Sequence, residues 1–221
     1  MIQDIIKVWD KYGYVFLQGL WGTLWLSAVS VAVATLIGAI LAIMKLSKFK
    51  PFQWVVDVYI SIIRGTPVLL QLYFFWLWLG NLLPWLTDTG SIVVALIVNA
   101  SAYVAEVIRA GIQAVDIGQR EAAKSLGMTD YQTMMRVIMP QAIKNILPAL
   151  GNQYIMMVKQ TSLASIFYIN DIMTSYRMVM TATYKPMPAL IIAGIIYMIL
   201  TTVMTKGLSL FERRLQKSER R

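Results

Sequence analysis

Residues 118–140 read GQREAAKSLGMTDYQTMMRVIMP, a polar and charged stretch between two long apolar parts of the chain. Glu121 suits the N-terminal end of a short helix, and Gly127 has the conformational freedom to end that helix in a left-handed cap. Pro140 restricts how the next helix can begin. Such a segment does not belong in lipid, so we expect it to lie outside the membrane, where another protein can contact it.

The composition around this segment is that of an integral membrane protein. Of the 221 residues, 58% are hydrophobic and 14% are charged, and the mean hydropathy is +0.62. A membrane-crossing helix takes about 20 apolar residues, and continuous rather than alternating apolar runs favour helices over a membrane barrel. We therefore predict an all-α membrane protein that forms one transmembrane domain over residues 1–221.

Five apolar runs are predicted to be transmembrane helices. The first has the small-residue spacings Ala28/Ala32 and Ala34/Gly38, which allow close helix packing. The second contains Arg64-Gly65-Thr66-Pro67 at mid-depth, and a mixed loop is expected over residues 168–185. The runs cover about residues 14–44, 51–79, 91–115, a fourth that begins near residue 147, and 186–210.

The positions of the basic residues predict the orientation. Most basic residues lie on one side of the predicted membrane, which the positive-inside rule assigns to the cytoplasm. The N-terminus is then outside, and the 118–140 stretch and the C-terminus are cytoplasmic. The same rule accounts for the net charge of +9 without nucleic acid as a partner. The residues on the cytoplasmic side are Lys45, Lys48, Lys50, Arg120, Lys124, Arg136, Lys144 and those of the tail from Lys206 onward.

Several kinds of chemistry lack their usual side chains. The chain contains no Cys and no His, so the usual ligands of zinc, copper and iron are missing and we predict no metal site. A phosphate-binding loop of the G-x-x-x-x-G-K-[ST] kind is also missing, so we predict that the chain does not itself hydrolyse a nucleotide. Ser162 and Lys159 are not placed beside an evident base, so we predict no catalytic residues.

The break at Arg64-Gly65-Thr66-Pro67 is the predicted substrate site. Freed backbone groups at membrane depth are tolerated only where they line a cavity or pack against protein. Arg64 and the amides around Gly65 would match a carboxylate, while Thr66, Gln71 and Asn99 would bind an ammonium group or order water. The alternative is a purely structural kink.

Other charges at membrane depth have a simpler interpretation. Glu106 and Arg109 are three residues apart on one helix face and are predicted to neutralise each other. Asp57 is expected to be an interfacial acid near Lys50.

The order of residues in the polar stretch resembles a known motif. It is similar to the EAA loop of ABC importer membrane subunits. The matching residues are Glu121-Ala122-Ala123, then Gly127 after three residues, then Val137 after nine more, and finally Pro140. Val137 and Met139 stand where that family usually has Ile and Leu. The resemblance narrows to importers of polar amino acids through RGTPVLLQ (64–71), SAYVAEVIRAGI (101–112), GQREAAKSLGM (118–128), PQAIKNILPALGNQYI (140–155) and KQTSL (159–163).

This resemblance implies a type I ABC importer permease fold with five transmembrane helices, in the cytoplasmic membrane of a prokaryote. The implied partners are two cytoplasmic ATPase subunits, which bind ATP and Mg²⁺, an extracytoplasmic solute-binding protein or domain, and a second permease copy in a homodimer or heterodimer. The coupling loop corresponds to about residues 116–146. Its helix would dock into a groove of the ATPase, and the residues implied in this coupling are Gly118, Glu121, Ala122, Ala123 and Gly127.

Two glutamines bear on the substrate. Permeases of this family that carry cationic amino acids can have acidic residues after the Gly-Asn pair and after the Lys of a Lys-Asp-Thr-Ser-Leu motif. Gln153 and Gln160 stand at these positions here. A neutral amide lacks the charge complement for arginine or lysine, so we expect a neutral or polar amino acid such as glutamine or cystine.

The residues alone also allow two other classes of protein. An ion-driven secondary carrier of amino acids could use Glu106 and Asp171 as proton sites. A membrane enzyme, such as an intramembrane protease or acyltransferase, would need a nucleophile and a base, and the sequence offers no evident pair.

Overall fold

A computed structural model describes residues 1–217, and every regular element in that range is a helix. Short 3-10 and π-helical turns join some of the α-helices. The α-helices are α1 (Ile2–Leu46), α2 (Lys50–Gly65), α3 (Val68–Leu82), α4 (Asp88–Gln113), α5 (Ile117–Ser125), α6 (Asp130–Thr133), α7 (Met139–Gln160), α8 (Ile172–Thr183) and α9 (Pro186–Lys217).

Three of these helices, α1, α4 and α9, are long and apolar enough to cross a membrane. The second predicted run is not one helix. It divides into α2 and α3, which meet the same criterion only together, and their axes differ by 108°. The described residues therefore contain three membrane-length helices, or four if the bent pair is one span.

Two boundaries differ from those expected. The helix that contains the fourth apolar run begins at Met139 rather than near residue 147, because Pro140 lies in its first turn, where a backbone N–H has no helical partner to lose. The mixed loop predicted over residues 168–185 is wrong, since α8 occupies most of it. Asp171 begins α8, and its carboxylate accepts hydrogen bonds from the amides of Met173 and Thr174 at 3.1 and 2.7 Å.

The first helix packs along α4 through small residues. Ala34 and Gly38 are buried, and a Cβ on Gly38 would lie 2.6 Å from Cγ1 of Val104. The predicted close approach through Ala34 and Gly38 is therefore confirmed, whereas Ala28 and Ala32 are exposed.

Candidate functional site

The helix break lies between Gly65, the last residue of α2, and Val68, the first residue of α3. Thr66 and Pro67 have extended backbones, with φ/ψ of −118°/146° and −62°/138°. Pro67 has no N–H to continue the helix, so carbonyl groups at the end of α2 need other donors. The hydroxyl of Thr66 donates to the carbonyl of Ile62 at 2.8 Å.

A buried amide chain braces this break. Nε2 of Gln71 donates to the carbonyl of Ile63 at 2.7 Å and to Oγ1 of Thr66 at 2.8 Å. Nδ2 of Asn99, on α4, donates to Oε1 of Gln71 at 2.9 Å. The structure thus brings together three of the predicted site residues. Oδ1 of Asn99 has no hydrogen-bond partner within residues 1–217, although it is buried.

Arg64 projects from the end of α2 towards α4. Its guanidinium lies 5.4 Å from the ring centroid of Tyr103, and its Nη1 lies 3.9 Å from Oε2 of Glu106. The side chain is 46% exposed, so these contacts leave donors available. Tyr103 was not predicted from the sequence as a neighbour of Arg64. The only indication there is that Tyr103 lies about one helical turn before Glu106.

Glu106 is the centre of a larger ion-pair cluster. Its predicted pairing with Arg109 is present, with Nη2 of Arg109 at 2.9 Å from Oε2. Lys45, at the end of α1, also lies 2.7 Å from Oε1 of Glu106 and 2.9 Å from Oδ1 of Asp57. Asp57 is thus paired with Lys45 rather than with Lys50, the neighbour expected from sequence. The cluster ties α1, α2 and α4 together.

Gln153 and Gln160 lie seven residues apart on α7, which places them on the same helix face. Gln153 is only 4% exposed. Nε2 of Gln153 and Oε1 of Gln160 are both buried, and neither has a hydrogen-bond partner among the described residues. The two side chains do not join the Gln71–Asn99 network. A buried amide atom without a partner is costly, so both glutamines are suited to a ligand or an ordered water.

The coupling segment, residues 116–146, begins with a well-capped helix. Oδ1 of Asp116 accepts from the amide of Gly118 at 2.6 Å to begin α5. At the other end Gly127 has a φ of +77°, and the amide of Met128 donates to the carbonyl of Ala123 at 3.1 Å. Gly127 therefore occupies the left-handed cap predicted from sequence. The helix begins at Ile117, before the Glu121 expected to open it.

The remainder of the segment is equally ordered. Thr129 and Gln132 form a reciprocal capping box, with bonds of 3.0 and 3.2 Å, at the start of α6. A π-helical turn, Met134–Ile138, follows and runs directly into α7. Ala123 is buried, while Glu121 and Ala122 are exposed. The Lys124 ammonium, 3.0 Å from Asp130, holds the pKa of that carboxyl below its ordinary value.

A family description matches most of this chain. The family of binding-protein-dependent transport system inner membrane components matches residues 34–217, a range that contains both the helix break and the coupling segment. The chain belongs to this family.

Individual relatives agree with this membership. The chain is 40% identical to the arginine transport system permease protein ArtQ of Bacillus subtilis (strain 168), over 92% of this chain and 93% of the relative. It is 37% identical to the probable glutamine ABC transporter permease protein GlnM of the same organism, over 97% and 99% of the two chains. The resemblance to amino acid ABC importer permeases is confirmed.

Solved structures agree on the fold. A chain of an amino acid ABC transporter crystallised with histidines superposes with a TM-score of 0.87 at 45% identity, covering 93% of this chain and 96% of that chain. A chain of the inward-facing MetNI methionine ABC transporter gives 0.79 at 17% identity, covering 91% and 96%. The second likeness concerns the fold alone, and that fold is the type I ABC importer permease fold expected from sequence.

Proposed function

We propose that this chain is the pore-forming permease subunit of an ATP-driven amino acid importer in the cytoplasmic membrane of a prokaryote. A second permease copy, identical or related, completes the pore. Two ATPase subunits hydrolyse ATP with Mg²⁺ on the cytoplasmic side, and a solute-binding protein or domain delivers the amino acid from outside. The observation that carries this proposal is the coupling segment, whose helix α5 is capped at both ends.

Two ion pairs support five membrane crossings with the N-terminus outside. Lys185, at the start of α9, pairs with Asp4 at the start of α1, so the starts of these two helices lie on the same side of the membrane. Lys48, after α1, lies 4.0 Å from Asp130 in the coupling segment, on the other side. The bent α2–α3 pair must then cross the membrane once, from the side of Lys48 to the side on which α4 begins. The stretch from α7 to α8 must cross back before α9.

The coupling helix has a direct mechanical route into the bundle. Ala123 of α5 packs inward, and α5 lies against the π-helical turn at Met134–Ile138. That turn continues without interruption into α7, which carries Gln153 and Gln160. Movement of two ATPase subunits against the exposed Glu121 face would reach α7 through this turn and tilt it, which is alternating access by rigid-body motion.

Uptake into proteoliposomes tests this coupling. Glu121→Ala and Gly127→Ala should leave the assembled complex in the membrane but remove most ATP-driven uptake, the first through the docking surface and the second because an alanine at a φ of +77° strains the cap. Gly207→Ala is the matched control, since no atom lies within 4 Å of its added Cβ. Normal uptake by both variants, or uptake that needs no internal ATP, would contradict the proposal.

The substrate site in this proposal includes the helix break and the two α7 glutamines. A Cβ on Gly65 would meet no atom within 4 Å, so the backbone there opens onto free space. Arg64 keeps donors for an α-carboxylate, while Gln71 and Asn99 act mainly by holding the break in shape. Gly65→Leu should therefore block transport without lowering the stability of the chain.

We propose a neutral, amide-bearing amino acid such as glutamine, or cystine, as the substrate. The support is that Gln153 and Gln160 present buried neutral amides with unsatisfied atoms, whereas a cationic side chain would favour carboxylates. The names of the relatives include arginine as well as glutamine, so this part of the proposal rests on Gln153 and Gln160.

Competition measurements on the reconstituted complex test the substrate class. The complex should take up glutamine, and an equal concentration of arginine should not reduce that uptake. Gln153→Glu with Gln160→Asp should shift the preference towards arginine by on the order of tenfold, because one favourable charge contact contributes about that much. Asn152→Asp is the matched control, since Asn152 is exposed on the neighbouring face of α7. Arginine uptake by the unmodified complex that neutral amino acids do not reduce would refute this substrate class.

A further inference from the structure

A cavity of about 500 Å³ lies at the end of the bundle that carries the coupling segment. The ends of α1 and α4 form one wall, and α5, α6 and the π-helical turn form the other. Both α1 and α4 are long and apolar enough to cross a membrane, so we place the cavity near the membrane surface. Its volume is that of an ordinary small-molecule site.

The lining has two chemically distinct parts. One part is apolar and includes Leu46, Ile112 and Ile138. The other is charged, and its three basic residues, Lys48, Arg120 and Lys124, outnumber its two acids. An occupant with one apolar part and one anionic part matches this division.

The acids in the lining are already occupied. Oδ1 of Asp116 accepts from the amide of Gly118 at 2.6 Å. The carboxylate of Asp130 lies 3.0 Å from Lys124 and 4.0 Å from Lys48. Among residues 1–217, Arg120 makes no hydrogen bond and no ion pair and acts on Asp130 only through longer-range charge, so its guanidinium donors remain for a ligand.

A buried hydroxyl also points to a ligand. Thr133 lines the cavity and is only 2% exposed, yet its Oγ1 has no hydrogen-bond partner among the described residues. Leaving such a group unpaired is costly. The adjoining Met134 and Ile138 belong to the π-helical turn and also line the cavity. π-helical turns are rare and occur frequently at functional sites.

We propose that this cavity binds the phosphate group of an anionic phospholipid, with Arg120 and Thr133 as its donors and the apolar wall against the start of the acyl chains. Basic pockets between transmembrane helices at the cytoplasmic surface bind lipid headgroups of this kind. The apolar wall and the position beside the bilayer favour a lipid over free phosphate. A bound lipid would join the membrane surface to the coupling segment, so membrane composition would regulate how that segment moves.

Lipid binding to the full-length chain, purified in a nonionic detergent, tests this proposal without any need for transport. The probes are dioleoylphosphatidylglycerol, dioleoylphosphatidylcholine and inorganic phosphate, and the readouts are the thermal unfolding midpoint and native mass spectrometry. Arg120→Gln should weaken phosphatidylglycerol binding by about fivefold, the effect of one basic side chain at an anionic headgroup. Thr133→Val should weaken it as well while keeping the side-chain shape.

Arg136→Gln is the matched control, because Arg136 is an exposed arginine of the same segment that does not line the cavity. Phosphatidylglycerol should bind to this variant as it binds to the unmodified chain, and phosphatidylcholine should bind to neither. Equal weakening in the Arg120 and Arg136 variants would overturn the proposal, as would no binding at all. If inorganic phosphate reproduces the effect at equal concentration, the cavity is a phosphate site but the lipid is not its occupant.

Discussion

Asn99 on α4 donates to Gln71 on α3 at 2.9 Å, and Gln71 donates to the carbonyl of Ile63 across the helix break at 2.7 Å. One glutamine side chain thus joins α4, α3 and the end of α2. Gln71 is 6% exposed and Asn99 is 1% exposed, so water does not readily replace either bond. The bend that opens the backbone around Gly65 depends on this pair.

Replacing Gln71 should therefore destabilise the fold rather than only the site. Gln71→Leu leaves the carbonyl of Ile63 and the amide of Asn99 buried without partners, which costs about 1–3 kcal/mol for each group left unpaired. Thermal unfolding in detergent measures the loss. Asn81→Leu on the same helix is the control, because Asn81 makes one exposed bond to the carbonyl of Leu77 and should lose little. Equal effects would contradict the bracing role.

The glutamine's role illustrates what the sequence could and could not predict. Gly65 and Pro67 predict a helix break from the sequence alone, because each affects the helix through its own backbone. The donor that satisfies Ile63 depends on how α3 folds back beside α2, and the bond from Asn99 joins residues 28 positions apart. Sequence reasoning could place Gln71 and Asn99 near the break, but it could not separate bracing from substrate contact.

The same limit applies to Lys45. The sequence groups it with the basic residues that predict the orientation, and its position at the end of an apolar run gives no other signal. Its contact with Glu106 spans 61 residues, and only the packing of α1 along α4 brings the two together. The coupling segment was predicted in more detail because its caps are local, with Asp116, Gly127 and Thr129 each acting within a few residues.

Glu106 should be the most sensitive charged residue of the bundle. Glu106→Gln removes the anion that faces Lys45 at 2.7 Å and Arg109 at 2.9 Å, and bonds to charged partners contribute about 1.5–3 kcal/mol each. The side chain is 18% exposed, so we expect a combined loss near the lower end of that range. The measurement is the free energy of unfolding in a lipid–detergent mixture.

Asp57→Asn is the matched control for this cluster. Asp57 forms an ion pair with Lys45 and is 55% exposed, and an exposed pair contributes at most about 1 kcal/mol. A loss in the Asp57 variant as large as that in the Glu106 variant would show that burial does not set the strength of the cluster.

Close packing between α1 and the start of α8 should make Gly22 intolerant of any side chain. A Cβ on Gly22 would lie 2.1 Å from the carbonyl oxygen of Asn170, and overpacking of this kind costs about 1–3 kcal/mol. Gly194→Ala in α9 is the control, because its Cβ would meet no atom within 4 Å and alanine favours a helix by up to about 1 kcal/mol. Thermal unfolding should shift in opposite directions for the two variants. Equal shifts would contradict the predicted contact.

The orientation can be tested with single cysteines, since the chain has none of its own. Trp85, in the turn between α3 and α4, is 75% exposed, and Ser125 is exposed at the end of α5. The two residues lie at opposite ends of α4. With the N-terminus outside, a membrane-impermeant thiol reagent should label Trp85→Cys in intact cells and Ser125→Cys only after the membrane is opened.

Inverted membrane vesicles provide the control for this labelling, because the pattern there must reverse. Labelling of Ser125→Cys in intact cells with protection of Trp85→Cys would place the coupling segment outside. That result would also separate the segment from any cytoplasmic ATPase, and the proposed mechanism would fail with it. The bent α2–α3 pair adds a further requirement: Lys48 lies beside Asp130, so Lys48→Cys must follow the pattern of Ser125→Cys if the pair crosses the membrane once.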